Sequence, residues 1–277
     1  MSKIIWLASY PKSGNTWMRA FLHNLLRDPS ESYDINKITD FSTSDSSLNW
    51  YTAQNKRPWE EWKPIDVMRM RRGTQLAICA SKRDDTFVKT HNASMTFLGY
   101  PLIYPDLTAG AIYIVRNPLD VCISLSHHYG CGIDRAIEIL GDETTGSHTN
   151  EKLVYEVHRS WSTHVDSWTS QQRPGLAVLR YEDMLRNPIK AFGGLTKFMG
   201  LNPPRQRLER AVERSSFKTL RGQEDEKGFR ERSPHAQKFF REGRSGQWRD
   251  VLTPVQVDRI VAQHKEQMQR FGYWPLS

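Results

Sequence analysis

The stretch that most constrains the fold is "KIIWLASYPKSGNTWMRAFLHNLL", residues 3–26. Its opening apolar run suits a central strand covered on both faces. Trp17, Phe21, Leu22 and Leu25 then recur at helical spacing, up to Asp28-Pro29. A strand passing directly into a helix is the repeating unit of open α/β sheets. The connecting loop offers backbone N–H groups at a helix N-terminus, where orphan donors and the helix dipole bind an anion. Gly14 allows close backbone approach. Lys12 supplies a positive charge, and Ser13, Asn15 and Thr16 supply donors. The stretch reads as a P-loop-like phosphate cradle or as a tight turn with a solvated lysine. It departs from the triphosphate loop G-x-x-x-x-G-K-[ST]: its lysine comes two residues before its only glycine. No apolar run ends in an aspartate suited to hold magnesium.

Three further apolar runs, "TFVKTH" (86–91), "AIYIVRN" (111–117) and "LAVLRY" (176–181), predict strands beside "KIIWLASY" (3–10). Helical stripes run through Val154, Val157, Trp161, Val165 and Trp168, and through Ile189, Phe192, Leu195 and Phe198. A last one runs from Thr253-Pro254 through Val257, Ile260, Val261, His264 and Met268 to Gly272. Strand–helix alternation predicts a single three-layer α/β domain over 1–277, with a central parallel sheet flanked by helices. Residues 29–65 and 222–247 read as long irregular stretches, either lids over a site or disordered loops.

The net charge of +8 favours anionic partners. "RMRRG" at 69–73 is the nearest approach to a basic block and is short, which argues against a nucleic-acid arm. Cys79, Cys122 and Cys131 cannot all pair within one chain and match no zinc spacing, so no metal site is expected and the chain reads as reduced and cytoplasmic. No apolar run is long enough to span a bilayer.

Five motifs in order then resemble the cytosolic-type sulfotransferases, which use 3′-phosphoadenosine-5′-phosphosulfate (PAPS). "YPKSGNTW" resembles the loop for the 5′-phosphosulfate, and "VKTH" (88–91) the strand with the catalytic histidine. "VRNPLDVCISLSHHY" (115–129) resembles the 3′-phosphate site. "HVDSW" followed by "LRYEDMLRNP" (179–188) resembles the helix and strand leading to an adenine-contacting tyrosine. "FFREGRSGQWRD" (239–250) resembles the C-terminal R-K-G-x-x-G-x-W-K signature. The resemblance runs from residue 9 to 250. It implies a sulfotransferase fold and sulfuryl transfer from PAPS, leaving 3′-phosphoadenosine-5′-phosphate (PAP), to a hydroxyl or amine of a small-molecule acceptor.

It also implies roles. His91 is the general base, Lys12 stabilises the leaving phosphate, and Lys89 and Ser124 assist. Lys12, Ser13, Gly14, Asn15, Thr16, Trp17, Arg116, Ser124, Tyr181, Phe217, Arg241 and Gly243 hold the donor, with Trp17 and Phe217 on the adenine. Arg116 can alternatively pair with Asp120 on the surface. Trp50, Tyr51, Trp59 and Trp62 can wall an acceptor pocket or pack a lid.

Glu242 stands where the signature has lysine, and Gln247 where it has an acidic residue. The family's dimer motif survives only as "RDVLTPVQVD", leaving monomer and homodimer open. The sheet begins almost at the N-terminus, as in bacterial small-molecule members of the family. A magnesium-dependent nucleotide kinase and a basic nucleic-acid-binding domain are the competing readings. The residues do not choose among phenol, steroid, sugar and peptidic acceptors.

Overall fold

The computed structural model describes residues 2–30, 33–170 and 175–274. In chain order the strands are β1 (Ile4–Ser9), β2 (Thr43–Ser44), β3 (Thr86–Thr90), β4 (Thr96–Phe97), β5 (Tyr100–Pro101), β6 (Thr108–Val115), β7 (Gly146–Ser147), β8 (Glu156–Val157) and β9 (Leu176–Arg180). Five form the central sheet, in the order β2-β3-β1-β6-β9. β1 runs parallel to β3, from Ile4 opposite Thr86 to Ala8 opposite Thr90, and β2 runs parallel to the other side of β3. Parallel neighbours far apart in sequence require crossover connections, and the intervening helices supply them.

All four apolar runs form strands. β2 is the one sheet strand outside them. Thr43 and Ser44 lie at an edge and carry no apolar signal, and they belong to the 29–65 stretch expected to be irregular. That stretch also carries helices Ile38–Phe41 and Leu48–Thr52. The helix expected from Val154 to Trp168 is shorter: only Trp161–Thr169 is helical, with Ser160 Oγ accepting from Thr163 N. Val154 and Val157 are buried at 0% and 2% exposure in extended chain. A spacing of three serves a buried loop as well as a helix, so periodicity alone misplaced the start. Pro254–Arg270 forms as read, with a reciprocal Thr253/Gln256 capping box.

The chain divides into two compact units. The first comprises Met1–Pro11, Ser42–Tyr113 and Gly141–Val178, and the second Lys12–Phe41, Ile114–Leu140 and Leu179–Ser277. In the first unit Leu48, Tyr51, Trp62, Val67, Met68, Leu102, Val154 and Val157 form a core cluster, and Trp50 and Trp59 pack against it. In the second unit Ala20, Ile35, Ile38, Leu220, Phe229 and Phe240 form another, with Trp17, Phe217 and Phe239 against it. Residues 222–247 are therefore anchored: Phe229 and Phe240 enter that core, and Glu224 accepts from the backbone N–H groups of Phe239 and Phe240. Arg19, 1% exposed, donates from Nη1 to both carboxylate oxygens of Glu231, at 2.8 and 2.9 Å. Among the described residues no helix is long and apolar enough to cross a membrane.

Candidate active site

The second unit assembles the phosphate-loop residues. The helix Asn15–Arg27 begins at Gly14, and no side chain caps it. Its first N–H groups thus keep the anion-binding potential of a helix start. Lys12 and Gly14 both take positive φ, 66° and 106°. A Cβ on Gly14 would lie 2.8 Å from Cδ2 of Tyr181, so glycine is required for packing as well as for conformation. Ser13 Oγ is buried and has no hydrogen-bond partner, while Asn15 and Thr16 are also buried. An orphaned hydroxyl inside such a loop fits an anionic ligand, because a buried polar atom without a partner is costly.

Arg116 ties three elements together. It is 7% exposed, and its Nη1 donates to Lys12 O at 2.9 Å and to Ser124 Oγ at 3.3 Å. Its guanidinium lies 4.3 Å from the centroid of the Tyr181 ring. Its buried Nε has no hydrogen-bond partner. The alternative pairing with Asp120 does not occur. Asp120 instead accepts from Gly246 N at 2.7 Å and Trp248 N at 3.1 Å, fixing the C-terminal signature to the helix Pro118–Tyr129. Sequence reasoning gave Asp120 no such role.

Arg241 bonds Gln247 Oε1 at 2.5 Å and Glu242 at 3.3 Å, and Arg244 also reaches Glu242. Burial lowers the Arg241 pKa; Glu242 opposes this, and the charges of Arg116 and Arg244 add to it. Positive charge is concentrated here, as an anion site needs. Gly243 has φ of 63°, and a Cβ there would fall 2.3 Å from the Phe217 ring. Trp17 meets Tyr181 edge-on at 5.8 Å, and its indole N–H is buried without a partner. Lys12 Nζ lies 4.1 Å from the centroid of Phe239.

Lys89 and His91 belong to the first unit. β3 ends at Thr90, so His91 is the next residue and shares its side of the chain with Lys89. His91 Nδ1 lies 2.8 Å from Ser9 O. A carbonyl only accepts, so Nδ1 carries the hydrogen and Nε2 keeps a lone pair. Burial, reinforced by the Lys89 charge, lowers the His91 pKa to about 3, so the ring is neutral at ordinary pH.

The backbone around His91 is clamped by the "HVDSW" segment, which the sequence had connected only with Tyr181. His164 Nε2 donates to His91 O at 3.1 Å, so its Nδ1 accepts from Tyr113 Oη at 2.8 Å. Trp168 Nε1 donates to Asn92 O at 3.0 Å, and Ser94 N donates to Ser167 Oγ at 3.0 Å. Three side chains of one helix thus hold residues 91–94. Among the described residues no cluster of His, Cys, Asp or Glu is suited to hold a metal.

These buried histidines predict an acid-labile fold. Burial lowers His164 to about 3 and His264 to about 4. Both stay neutral when folded, whereas the unfolded chain takes up protons below about pH 6.5. Stability is therefore full above that pH and is lost as pH falls toward the folded values. Denaturant titrations at pH 7.5 and 5.0 should differ by about 2 kcal/mol for each histidine. Equal stability at the two pH values would contradict this protonation scheme.

A family model described as "Sulfotransferase domain" matches residues 2–272. The chain is 27% identical over 275 residues to sulfotransferase 1A1 of the dog, Canis lupus familiaris, covering 96% of this chain and 83% of that one. Its fold is similar to that of mouse sulfotransferase SULT7A1 complexed with PAP, at TM-score 0.63 and 20% identity, covering 96% of this chain and 85% of that one. Retinol dehydratase in a complex with retinol and PAP is similar at TM-score 0.63 and 18% identity, covering 97% and 82%.

Proposed function

The chain belongs to the sulfotransferase domain family, and from that premise we propose that it transfers a sulfuryl group from PAPS to a hydroxyl or amine of a small-molecule acceptor. The observation that carries this reading is the grouping of Arg116 with the Lys12 carbonyl, Ser124 and Tyr181, beside a buried, unpartnered Ser13 hydroxyl. PAPS, when bound, supplies the activated sulfuryl group. Lys12 and the N–H groups of residues 13–16 would hold its 5′-phosphosulfate, with Lys12 meeting the charge that grows on the leaving phosphate. Arg116, Ser124, Arg241 and the Gly243 backbone would hold the 3′-phosphate through charge-assisted bonds. Trp17, Tyr181 and Phe217 would face the adenine, where rigid aromatic surfaces bind at low entropic cost.

In-line transfer removes a proton from the acceptor as its oxygen or nitrogen bonds to sulfur. His91 Nε2 is the base: its lone pair is exposed by the Nδ1–H bond to Ser9 O. Lys89 offsets charge on the sulfuryl oxygens. We read residues 1–277 as one such domain acting in the cytoplasm, with 29–65 and 222–247 as the segments that cover its substrates.

Titration calorimetry with PAP tests the proposal. Binding should be independent of magnesium and should weaken at least about tenfold when the 3′-phosphate is removed, since a bidentate charged contact is worth roughly 1.5–3 kcal/mol. Equal binding of magnesium-ATP would favour a kinase instead.

A further inference from the structure

The first unit buries a second imidazole beside His91. His158 is 3% exposed, and its Nε2 lies 3.4 Å from Oε2 of Glu156, which is 5% exposed. Its Nδ1 is buried and has no hydrogen-bond partner. The His158 and His91 rings stand perpendicular, 6.4 Å between centroids. A histidine held by a carboxylate at one nitrogen and open at the other has the form of an acid–base catalyst. A ring nitrogen sits off its centroid, so nitrogens turned toward each other would come closer than this centroid separation, within reach of one bridging oxygen that makes hydrogen bonds of roughly 2.8 Å to both.

Building on the sulfotransferase reading, we propose that the His158–Glu156 dyad is a second proton station: the acceptor's proton passes to His91 Nε2 and then, through one bridging oxygen, to His158 Nδ1. The acceptor's O–H bond breaks and its electron pair forms the new bond to sulfur. The sulfur–oxygen bond to the donor phosphate breaks, with that pair staying on the phosphate. The proton ends on an imidazolium whose opposite N–H faces Glu156. His158 and Glu156 act through His91 and position the charge, while His91 remains the residue that meets the acceptor.

The surrounding groups favour this direction. Burial alone would raise the Glu156 carboxyl, yet the hydrogen bond from His158 and the nearby positive charge of Lys89 hold it below the usual range. It therefore stays ionised, the counter-charge a buried imidazolium needs. His91, buried and next to Lys89, is a poor resting place for a proton. His164, on the helix Trp161–Thr169, has both nitrogens engaged, by Tyr113 Oη on β6 and by His91 O. Asp45 is held by Arg71 at 2.8 Å.

Full-length protein labelled with 15N-histidine allows a test that needs no acceptor. Long-range proton–nitrogen spectra should show His158 carrying its hydrogen on Nε2 with Nδ1 bare, and His91 carrying its hydrogen on Nδ1 with Nε2 bare. A hydrogen on His158 Nδ1 with Nε2 bare would overturn the proposal. With PAPS and 2-naphthol, His158→Gln should lower kcat at least about tenfold with the KM for PAPS changed less than about twofold. Glu156→Gln, nearly isosteric and usable if His158→Gln misfolds, should move the acid limb of the kcat profile to lower pH, and Glu156→Asp should partly restore it. An unchanged kcat and acid limb in both variants would also overturn it. Failure of PAP to bind the unaltered protein would instead sink the sulfotransferase reading, a separate result from either arm.

Discussion

His91→Ala should lower kcat by about 10²–10⁴-fold while leaving the affinity for PAP unchanged. The split follows from the geometry of the ring. Nδ1–H is fixed on Ser9 O at 2.8 Å, with Ser9 Oγ at 3.4 Å from the same nitrogen, and among the described residues no hydrogen bond engages Nε2. Alanine therefore deletes a lone pair and removes one hydrogen bond to the Ser9 carbonyl, which costs roughly 0.5–1.5 kcal/mol of stability. The phosphate-loop group around Arg116 makes its own contacts within the second unit and retains them. Steady-state rates with PAPS and 2-naphthol, beside calorimetry with PAP, separate the two effects. Turnover within about fivefold of the unaltered enzyme would remove His91 from the role of base. The pH dependence follows from the His91 pKa lowered to about 3. A lowered histidine pKa keeps the neutral, proton-accepting form through the whole range above that value. In the free enzyme the activity owed to His91 should persist to mildly acidic pH, limited there by unfolding rather than by loss of the base.

Local chemistry was legible in the sequence, and long-range partnership was not. The loop 9–17 could be read as a strand-to-helix turn because strand, glycine and helix start lie within a few residues, and the structure has all three there. Asn117 could be read as a helix cap because its target, Leu119 N, is two residues away. The tautomer of His91 could not, since Ser9 lies 82 positions earlier. Gly243 was legible as part of a signature, but its physical reason, the ring of Phe217, becomes visible only in three dimensions. The same limit hid Asp120, whose partners Gly246 and Trp248 lie on a distant segment. His158 and Glu156 carry no special spacing; only burial marks them. The false helix start at Val154 has the opposite origin, a local pattern that two backbone conformations satisfy equally.

The "RMRRG" run shows the limit most sharply and yields the largest expected effect on stability. As sequence it is a short basic patch. In the fold Arg72 is half-exposed and pairs with Asp106, whereas Arg71 has 0% exposure. Arg71 donates to Asp45 Oδ2 at 2.8 Å and to Tyr155 O at 3.1 Å, and Asp45 is also wholly buried. Asp45 came from the polar 29–65 stretch, where nothing marked it as a core residue. Burying both ions costs several kcal/mol each before their attraction is counted, so the pair adds little net stability over an apolar pair of the same volume. Removing one ion is different, because the other is then left uncompensated in the core. Arg71→Met should therefore destabilise the protein by about 3–5 kcal/mol, measured by denaturant titration. Combining it with Asp45→Asn should recover a substantial part, because the stranded charge disappears. A single variant costing under about 1 kcal/mol would mean that water or rearrangement compensates Asp45. The consequence reaches the proposed base: Asn92 donates to the same Asp45 oxygen at 3.2 Å, and its own Oδ1 accepts from Val157 N at 2.9 Å. Asn92 follows His91 directly, so the buried pair also anchors the residue that fixes where His91 leaves the sheet. The double variant should accordingly regain stability more fully than turnover, since it restores charge balance without restoring a carboxylate acceptor for Asn92.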